Sequence, residues 1–357
     1  MLPTVNVDCR FQMRELDIAG RKVGPDHPPL VLVEVGINHE GDVEKAKRLV
    51  DAAVASGAEV VKFQCHITDK EMVPTDMTPG EISNDRLWDI IKRCELTEDE
   101  EREVQAYCKQ KGIIYLSTPF SREAADRLND MGVPAFKIGS GECNNLPLLE
   151  HVAGFGKPMI ISTGMNDLES VKRTVAVIAG RVPFALMHCT SMYPTPYDKV
   201  RLAAITQLIE DFDVPVGLSD HSLNIWTCLG ATALGASLLE KHFTISRAWP
   251  GPDTAISIEP DELKDLIDGS KAVWQARGGE KDVLPEEQPV IEFAYATVVA
   301  IAPIKKGEVF SKENSWVKRP GTGEIHADRY HEVVGKTASR DIDAETHVKI
   351  SDVIGYD

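Results

Sequence analysis

Apolar residues along this chain gather into short β-branched runs, and each run is followed by a longer stretch of helical period. The runs are 30–36, 60–64, 113–118, 135–139, 158–163, 184–189, 214–219 and 238–243. The helical stretches are 43–56, 98–111, 122–131, 147–155, 167–179, 202–211, 222–234 and 261–276. Asp167 can cap a helix start, and Gly57, Gly132 and Gly235 follow helix ends. The strands are apolar on both faces, as in a parallel sheet covered by helices. Eight β-then-α units predict a (β/α)8 TIM barrel. An open doubly wound sheet would want a Gly-rich dinucleotide turn after an early strand, and the sequence has none.

Other segments surround this frame. Residues 1–29 are expected to form a hairpin or plug before the first strand, completing a catalytic domain over 1–280. The connection 66–96 is long and holds Pro74, Pro79 and Gly80. Long βα connections lie on the catalytic face, so it is expected to cover substrate. Polar residues 281–289 read as a linker. Residues 290–357 change rhythm into short β-type runs, predicting a small β-rich domain with little core of its own. Within it, IKKGEVFSKEN from Ile304 echoes IDAETHVKISDV from Ile342.

Length and charge narrow the function. The 357 residues suit a barrel of about 250 plus a small addition. A net charge of −17 argues against nucleic acid, so an anionic substrate would need a locally basic site. No stretch approaches the ~20 apolar residues of a membrane span, and the first residues lack the pattern of a signal peptide. Seven scattered cysteines, with no CxxC, predict reduced thiols in a cytoplasm.

Barrel enzymes carry their chemistry at the C-terminal strand ends. Here those ends are polar. Lys62 and Lys137 lie among the hydroxyls of Thr118, Ser140, Ser162 and Ser219, a receptor for a small phosphate-and-carboxylate anion. Gly139 and Gly141 would let backbone N–H groups approach phosphate. His221 and His242 could share a divalent metal. Glu34 reads as a general base or as a lysine's ion-pair partner. Singly, each has an ordinary structural reading, such as a helix cap or a hydrogen-bonded core histidine. Together, many polar groups inside a barrel call for a ligand, because unpaired buried charge is costly.

The motifs EVGINHEG (34–41), VVKFQ (60–64), STPF (117–120), FKIGSGECNN (136–145), ISTGM (161–165), HCTSMYPTP (188–196), GLSDHS (217–222), EKHFT (240–244), PGPD (250–253) and KRPGTG (318–323) resemble the sialic acid synthase family, closest to bacterial N-acetylneuraminate synthases. The likeness runs through the whole chain in order, and the C-terminal part resembles an antifreeze-like (SAF) module. Ser191 stands where bacterial members carry Asn.

The resemblance implies condensation of phosphoenolpyruvate with N-acetylmannosamine and water, giving N-acetylneuraminate and phosphate. It assigns Lys62 and Thr118 to the carboxylate of phosphoenolpyruvate, and Lys137, Ser140, Ser162 and Ser219 to its phosphate. A manganese ion on His221 and His242, with magnesium or cobalt as alternatives, would polarise the aldehyde. Glu34 would activate water. Gln64, Tyr193, Asp253 and Arg319 would position the acceptor sugar. Arg319 would come from the other subunit of a domain-swapped homodimer. A diacetamido-dideoxy acceptor, giving legionaminate or pseudaminate, is the alternative reaction. A Schiff-base aldolase and a non-catalytic sugar-binding protein are the competing classes.

Overall fold

A computed structural model describes residues 14–80 and 85–356. The chain divides into two compact units, Met1–Gly278 and Gly279–Asp357.

The first unit opens with a hairpin of β1 (Leu16–Ile18) and β2 (Arg21–Val23). Eight parallel strands follow: β3 (Leu30–Gly36), β4 (Val60–Cys65), β5 (Ile114–Pro119), β6 (Phe136–Ile138), β7 (Met159–Ser162), β8 (Phe184–Cys189), β9 (Val216–Asp220) and β10 (Leu238–His242). Their hydrogen-bonded order is β5-β4-β3-β10-β9-β8-β7-β6. The outermost pair, β5 and β6, lie against one another and close the sheet into a TIM barrel. All eight expected strands are present, with ends shifted by up to two residues.

Local chemistry explains the helices between them. Asp42, Thr97, Ser121 and Asp167 each accept a backbone N–H at a helix start. Thr97 and Glu100 complete a reciprocal capping box. The connection 66–96 is not featureless. Helices Thr68–Glu71 and Leu87–Cys94 lie within it, and Glu95 accepts from the Thr68 hydroxyl at 2.7 Å.

Strand periodicity sorts the barrel into two environments. Val31, Val33, Val61, Phe63, Phe136, Ile138, Leu186, Leu218 and Leu239 pack outward with the helices in the main core. Leu30, Leu32, Val60, Leu116, Ala135, Ile160, Met187 and Leu238 point inward and meet Leu16, Ile18 and Val23 of the hairpin. The described part of 1–29 therefore plugs the N-terminal end of the barrel. Further along the same inward rows the side chains become polar.

The second unit begins two residues before the expected boundary, and residues 281–289 belong to it. It contains a helix, Gln288–Ala294, and an antiparallel sheet of β11 (Thr297–Ala300), β12 (Ser315–Lys318) and β13 (Thr346–His347), ordered β12-β11-β13. The expectation of little core is corrected. Val298, Ile304, Phe310, Ile325, Tyr330, Val333, Ile342 and Val348 form a buried cluster within the unit. The sequence echo is structural. Ile304 and Ile342 exchange backbone hydrogen bonds at 2.9 and 2.8 Å. Asn314 accepts from Ser311 N–H at 2.8 Å, and Asp352 accepts likewise from Lys349 N–H at 3.0 Å. Equivalent positions thus make equivalent caps.

Candidate active site

The inward row of each strand delivers its last side chain to the C-terminal mouth. Glu34, Lys62, Thr118, Lys137, Ser162, Ser219, Glu240 and His242 all share the parity of the apolar plug residues beneath them. They line a cavity of about 430 Å³ together with Gln64, Ser140, Cys189, Tyr193 and His221.

Four buried charges form its floor. Lys62 Nζ lies 2.7 Å from Glu34 Oε2 and 3.7 Å from Glu240 Oε2, and donates to Thr118 Oγ1 at 3.1 Å. Lys137 Nζ donates to Glu240 Oε1 at 3.0 Å and to Ser162 Oγ at 2.8 Å. Ser219 Oγ donates to the same Glu240 oxygen at 2.8 Å. The site is thus not simply basic. Each lysine already has a carboxylate, and those carboxylates offset the charge expected to attract an anion.

Burial dominates the ionisation of this cluster. It raises the Glu34 carboxyl, with Glu240 adding to the rise and Lys62 opposing it. It lowers Lys137, helped by the repulsion of Lys62. Burial would also raise Glu240, but Lys137 and Lys62 together hold that carboxyl down to about 2. Glu142, on the cavity wall, is pushed up to about 7 by burial and by the charge of Glu71.

Two glycines make room for these contacts. Gly36 follows an irregularity in β3 and has φ +55. A Cβ there would lie 3.2 Å from Glu34 Oε1 and 3.4 Å from Gln64 Nε2. A Cβ on Gly164 would lie 2.7 Å from Ser140 Oγ, the atom that accepts the Gly164 N–H at 3.0 Å.

His221 follows β9 and His242 ends β10 beside Glu34 of β3, with ring centroids 5.4 Å apart, and Tyr193 lies 4.1 Å from the His221 ring. His221 Nδ1 faces the Thr190 carbonyl at 3.1 Å and Cys189 Sγ at 3.8 Å, so this nitrogen carries a hydrogen; burial opposes charge on the ring, but Cys189 and the Thr190 carbonyl raise it. His242 Nδ1 is buried without a hydrogen bond and lies 3.5 Å from Asp253 Oδ2. Burial drives His242 down to about 4, so its ring is neutral near pH 7. An imidazole oriented through its second nitrogen beside a neutral one with an orphaned nitrogen suits a divalent cation. No group of three or more His, Cys, Asp or Glu among the described residues could hold a metal, so any ion here must take other ligands from water or substrate.

Most expected site residues meet in this mouth. Asp253 lies just outside it, held by a backbone N–H to Asn38 Oδ1 at 3.1 Å. It borders a second cavity of about 410 Å³ whose walls include Ile37, Pro79, Leu87, Ile90, Ile91 and Pro252. Arg319 belongs to the second unit, where it is exposed and makes no hydrogen bond or ion pair with a described residue. Sequence reasoning missed Glu240, Glu142 and Cys189. Glu240 had a usable signal, for it sits two residues before His242 and therefore on the same face. The six described cysteines outside the N-terminal segment are free and buried; Cys9 lies outside the described residues.

Fold and mouth define a TIM-barrel protein with a buried lysine–carboxylate cluster beside two histidines at the C-terminal mouth of the barrel. The chain belongs to the NeuB family, whose sequence model matches residues 49–282, and a SAF domain matches residues 295–354. It is 41% identical over 87% of its length to an uncharacterized protein, MJ1065, of Methanocaldococcus jannaschii, covering 90% of that protein. It is 39% identical to the N,N'-diacetyllegionaminic acid synthase of Campylobacter jejuni, over 87% of this chain and 96% of the relative. A crystal structure of N-acetylneuraminic acid (sialic acid) synthetase from Leptospira borgpetersenii, in complex with citrate, superposes with a TM-score of 0.72 at 32% identity. That match covers 78% of this chain and 96% of the other.

Proposed function

We propose that this protein is a phosphoenolpyruvate-dependent transferase of sialic acid biosynthesis. It condenses phosphoenolpyruvate with N-acetylmannosamine and water to give N-acetylneuraminate and inorganic phosphate. The observation that carries this reading is the gathering of two buried lysines, several hydroxyls and two histidines around one cavity. Lys62 and Thr118 take the carboxylate of phosphoenolpyruvate. Lys137, Ser140, Ser162 and Ser219 take its phosphate. Glu34 and Glu240 favour the charged forms of both lysines, against the burial that disfavours them.

His221 and His242 would hold a divalent ion, manganese in this reading, which would supply Lewis-acid polarisation of the sugar aldehyde and added positive charge. Gln64, Tyr193 and Asp253 orient the acceptor so that its aldehyde carbon faces C3 of phosphoenolpyruvate. A C–C bond forms there as the aldehyde C=O π bond opens, and the former aldehyde oxygen takes a proton from Glu34. Glu34 recovers a proton from water as the water oxygen bonds to C2, and the C2–O bond to phosphate then breaks while the C2 hydroxyl becomes the carbonyl and its proton leaves with phosphate. Lys137 and the serines hold the departing phosphate. Arg319 of one subunit contacts the N-acyl group bound in the other, within a domain-swapped homodimer. Unpaired, buried cysteines support a cytoplasmic location for the enzyme.

A second acceptor is favoured by one observation. The cavity beside Asp253 has isoleucine, leucine and proline along much of its wall, with Glu40 and Arg93 also lining it. Such apolar stretches suit a methyl group and a second acetamido group better than hydroxyls. A diacetamido-dideoxy sugar, giving legionaminate or pseudaminate, fits that wall. Phosphate release, measured with phosphoenolpyruvate and manganese against N-acetylmannosamine, its 6-phosphate and the diacetamido sugars, tests both readings. No release with any acceptor rejects the synthase.

A further inference from the structure

One buried histidine near the cavity is not used by this mechanism. His66 is 4% exposed and follows β4 directly. Its ring stacks on Phe120 at 4.4 Å with an interplanar angle of 11°. Its Nδ1 faces both carboxylate oxygens of Glu71, at 2.9 and 3.0 Å. Its Nε2 lies 3.0 Å from Gln64 Oε1. Gln64 Nε2 in turn donates to Glu34 Oε1 at 2.8 Å, and Glu34 Oε2 meets Lys62 at 2.7 Å. A continuous polar chain therefore runs from the short helix Thr68–Glu71 to the charged floor of the cavity.

The amide of Gln64 has two ends of opposite polarity, and its neighbours decide which end faces which. With Nε2 donating to Glu34, Oε1 faces His66, and that contact is a hydrogen bond only if His66 Nε2 donates. The Glu71 carboxylate already accepts from Nδ1, so Nε2 donates as well only in the imidazolium form of His66, paired with Glu71. The reverse flip would put a carbonyl against Glu34 and require that carboxyl to hold a proton. The Glu71-paired imidazolium of His66 therefore selects the flip that favours the Glu34 carboxylate. It also leaves the second Nε2 hydrogen of Gln64 free to meet an acceptor oxygen.

The geometry points to His66, braced by Glu71 and Phe120, as a positioning residue that fixes the Gln64 amide flip and so the donor face shown to the acceptor substrate. This rests on the synthase reading for its kinetic consequence, but not for the hydrogen bond itself.

His66→Phe keeps an aromatic ring over Phe120 and removes both ring nitrogens. We expect it to lower kcat/KM for the acceptor by about 10- to 100-fold, while KM for phosphoenolpyruvate stays within about twofold. In a Gln64→Ala background, His66→Phe should cost nothing further. His66→Asn, which restores an N–H donor, should recover part of the loss and guards against a folding defect. Equal losses in both backgrounds, or no loss in either, would overturn the proposal. A second arm needs no turnover. In protein labelled with 15N-glutamine, the side-chain amide signal of Gln64, identified by its absence in Gln64→Ala, should shift in His66→Phe. An unmoved signal rejects the positioning role. A shifted signal in a protein that releases no phosphate with any acceptor instead rejects the synthase reading alone.

Discussion

Lys137 and Glu240 meet at 3.0 Å in the centre of the barrel, on strands β6 and β10 that face each other across its axis. Both are nearly inaccessible to solvent, so neither charge is supported by water. Removing one partner of such a pair leaves the other uncompensated and costs about 3–5 kcal/mol. Glu240→Gln should therefore lower unfolding stability by about 3 kcal/mol in denaturant melts. The sign with pH follows from the depressed carboxyl. Its contribution is full above the ordinary value of 4.5 and is lost as pH falls towards about 2. The variant should lose that part of the wild-type decline in acid, and an identical decline would rule out Glu240 as its source.

Glu142 carries the opposite prediction. Burial raises it to about 7, so it is the neutral acid below that pH and a carboxylate above it. A carboxylate on the cavity wall would repel a bound phosphate. The KM for phosphoenolpyruvate should rise by up to about fivefold between pH 7 and pH 8, and Glu142→Gln should flatten that rise. A profile unchanged by the substitution removes Glu142 from the binding equilibrium.

Metal dependence is testable at the two histidines. His221→Ala and His242→Ala should each abolish stoichiometric manganese binding in titration calorimetry. Turnover should fall by about 10³-fold, the equivalent of several kcal/mol of Lewis-acid stabilisation. Chelation of the wild type should reproduce the loss, and added manganese should reverse it. Intact manganese binding in His242→Ala would sink the two-histidine site.

The partly apolar cavity beside Asp253 predicts acceptor choice. Ile90 forms part of its wall. If the diacetamido-dideoxy sugar is the acceptor, Ile90→Ser should erode its preference over N-acetylmannosamine by about 10-fold, the scale of one apolar contact. Equal kcat/KM for both sugars in the wild type would remove the argument from this wall.

Arg319 tests the role of the SAF domain. Arg319→Ala should raise acceptor KM with little change in the KM for phosphoenolpyruvate. A chain ending at Gln288 should lose acceptor saturation altogether. Full activity in that shortened chain would leave the SAF domain without a catalytic part.

Much of this protein was legible from its residues. The runs at 30–36 and 184–189 coincide with β3 and β8, and the stretch 98–111 is a helix with those bounds. Asp167 caps its helix as expected. The polar strand ends also pointed to the mouth, because in this fold only the last inward residues escape the apolar interior. Less legible was how the charges pair. Lys241 and Glu240 are neighbours in sequence yet serve opposite faces. Glu240 turns inward to the two lysines, while Lys241 turns outward to Asp220 at 2.7 Å.

Pattern and spacing alone determined the barrel, its order of elements and most of the residues that reach the mouth. Those follow from periodicity, which is local and written along the chain. Only the closed barrel decided that Lys62 and Lys137 would share Glu240 and that His66 would reach Glu34 through Gln64. It likewise decided that Asp253 would stand between two cavities. Such contacts join strands far apart in sequence, and their energies depend on burial, which no local pattern records.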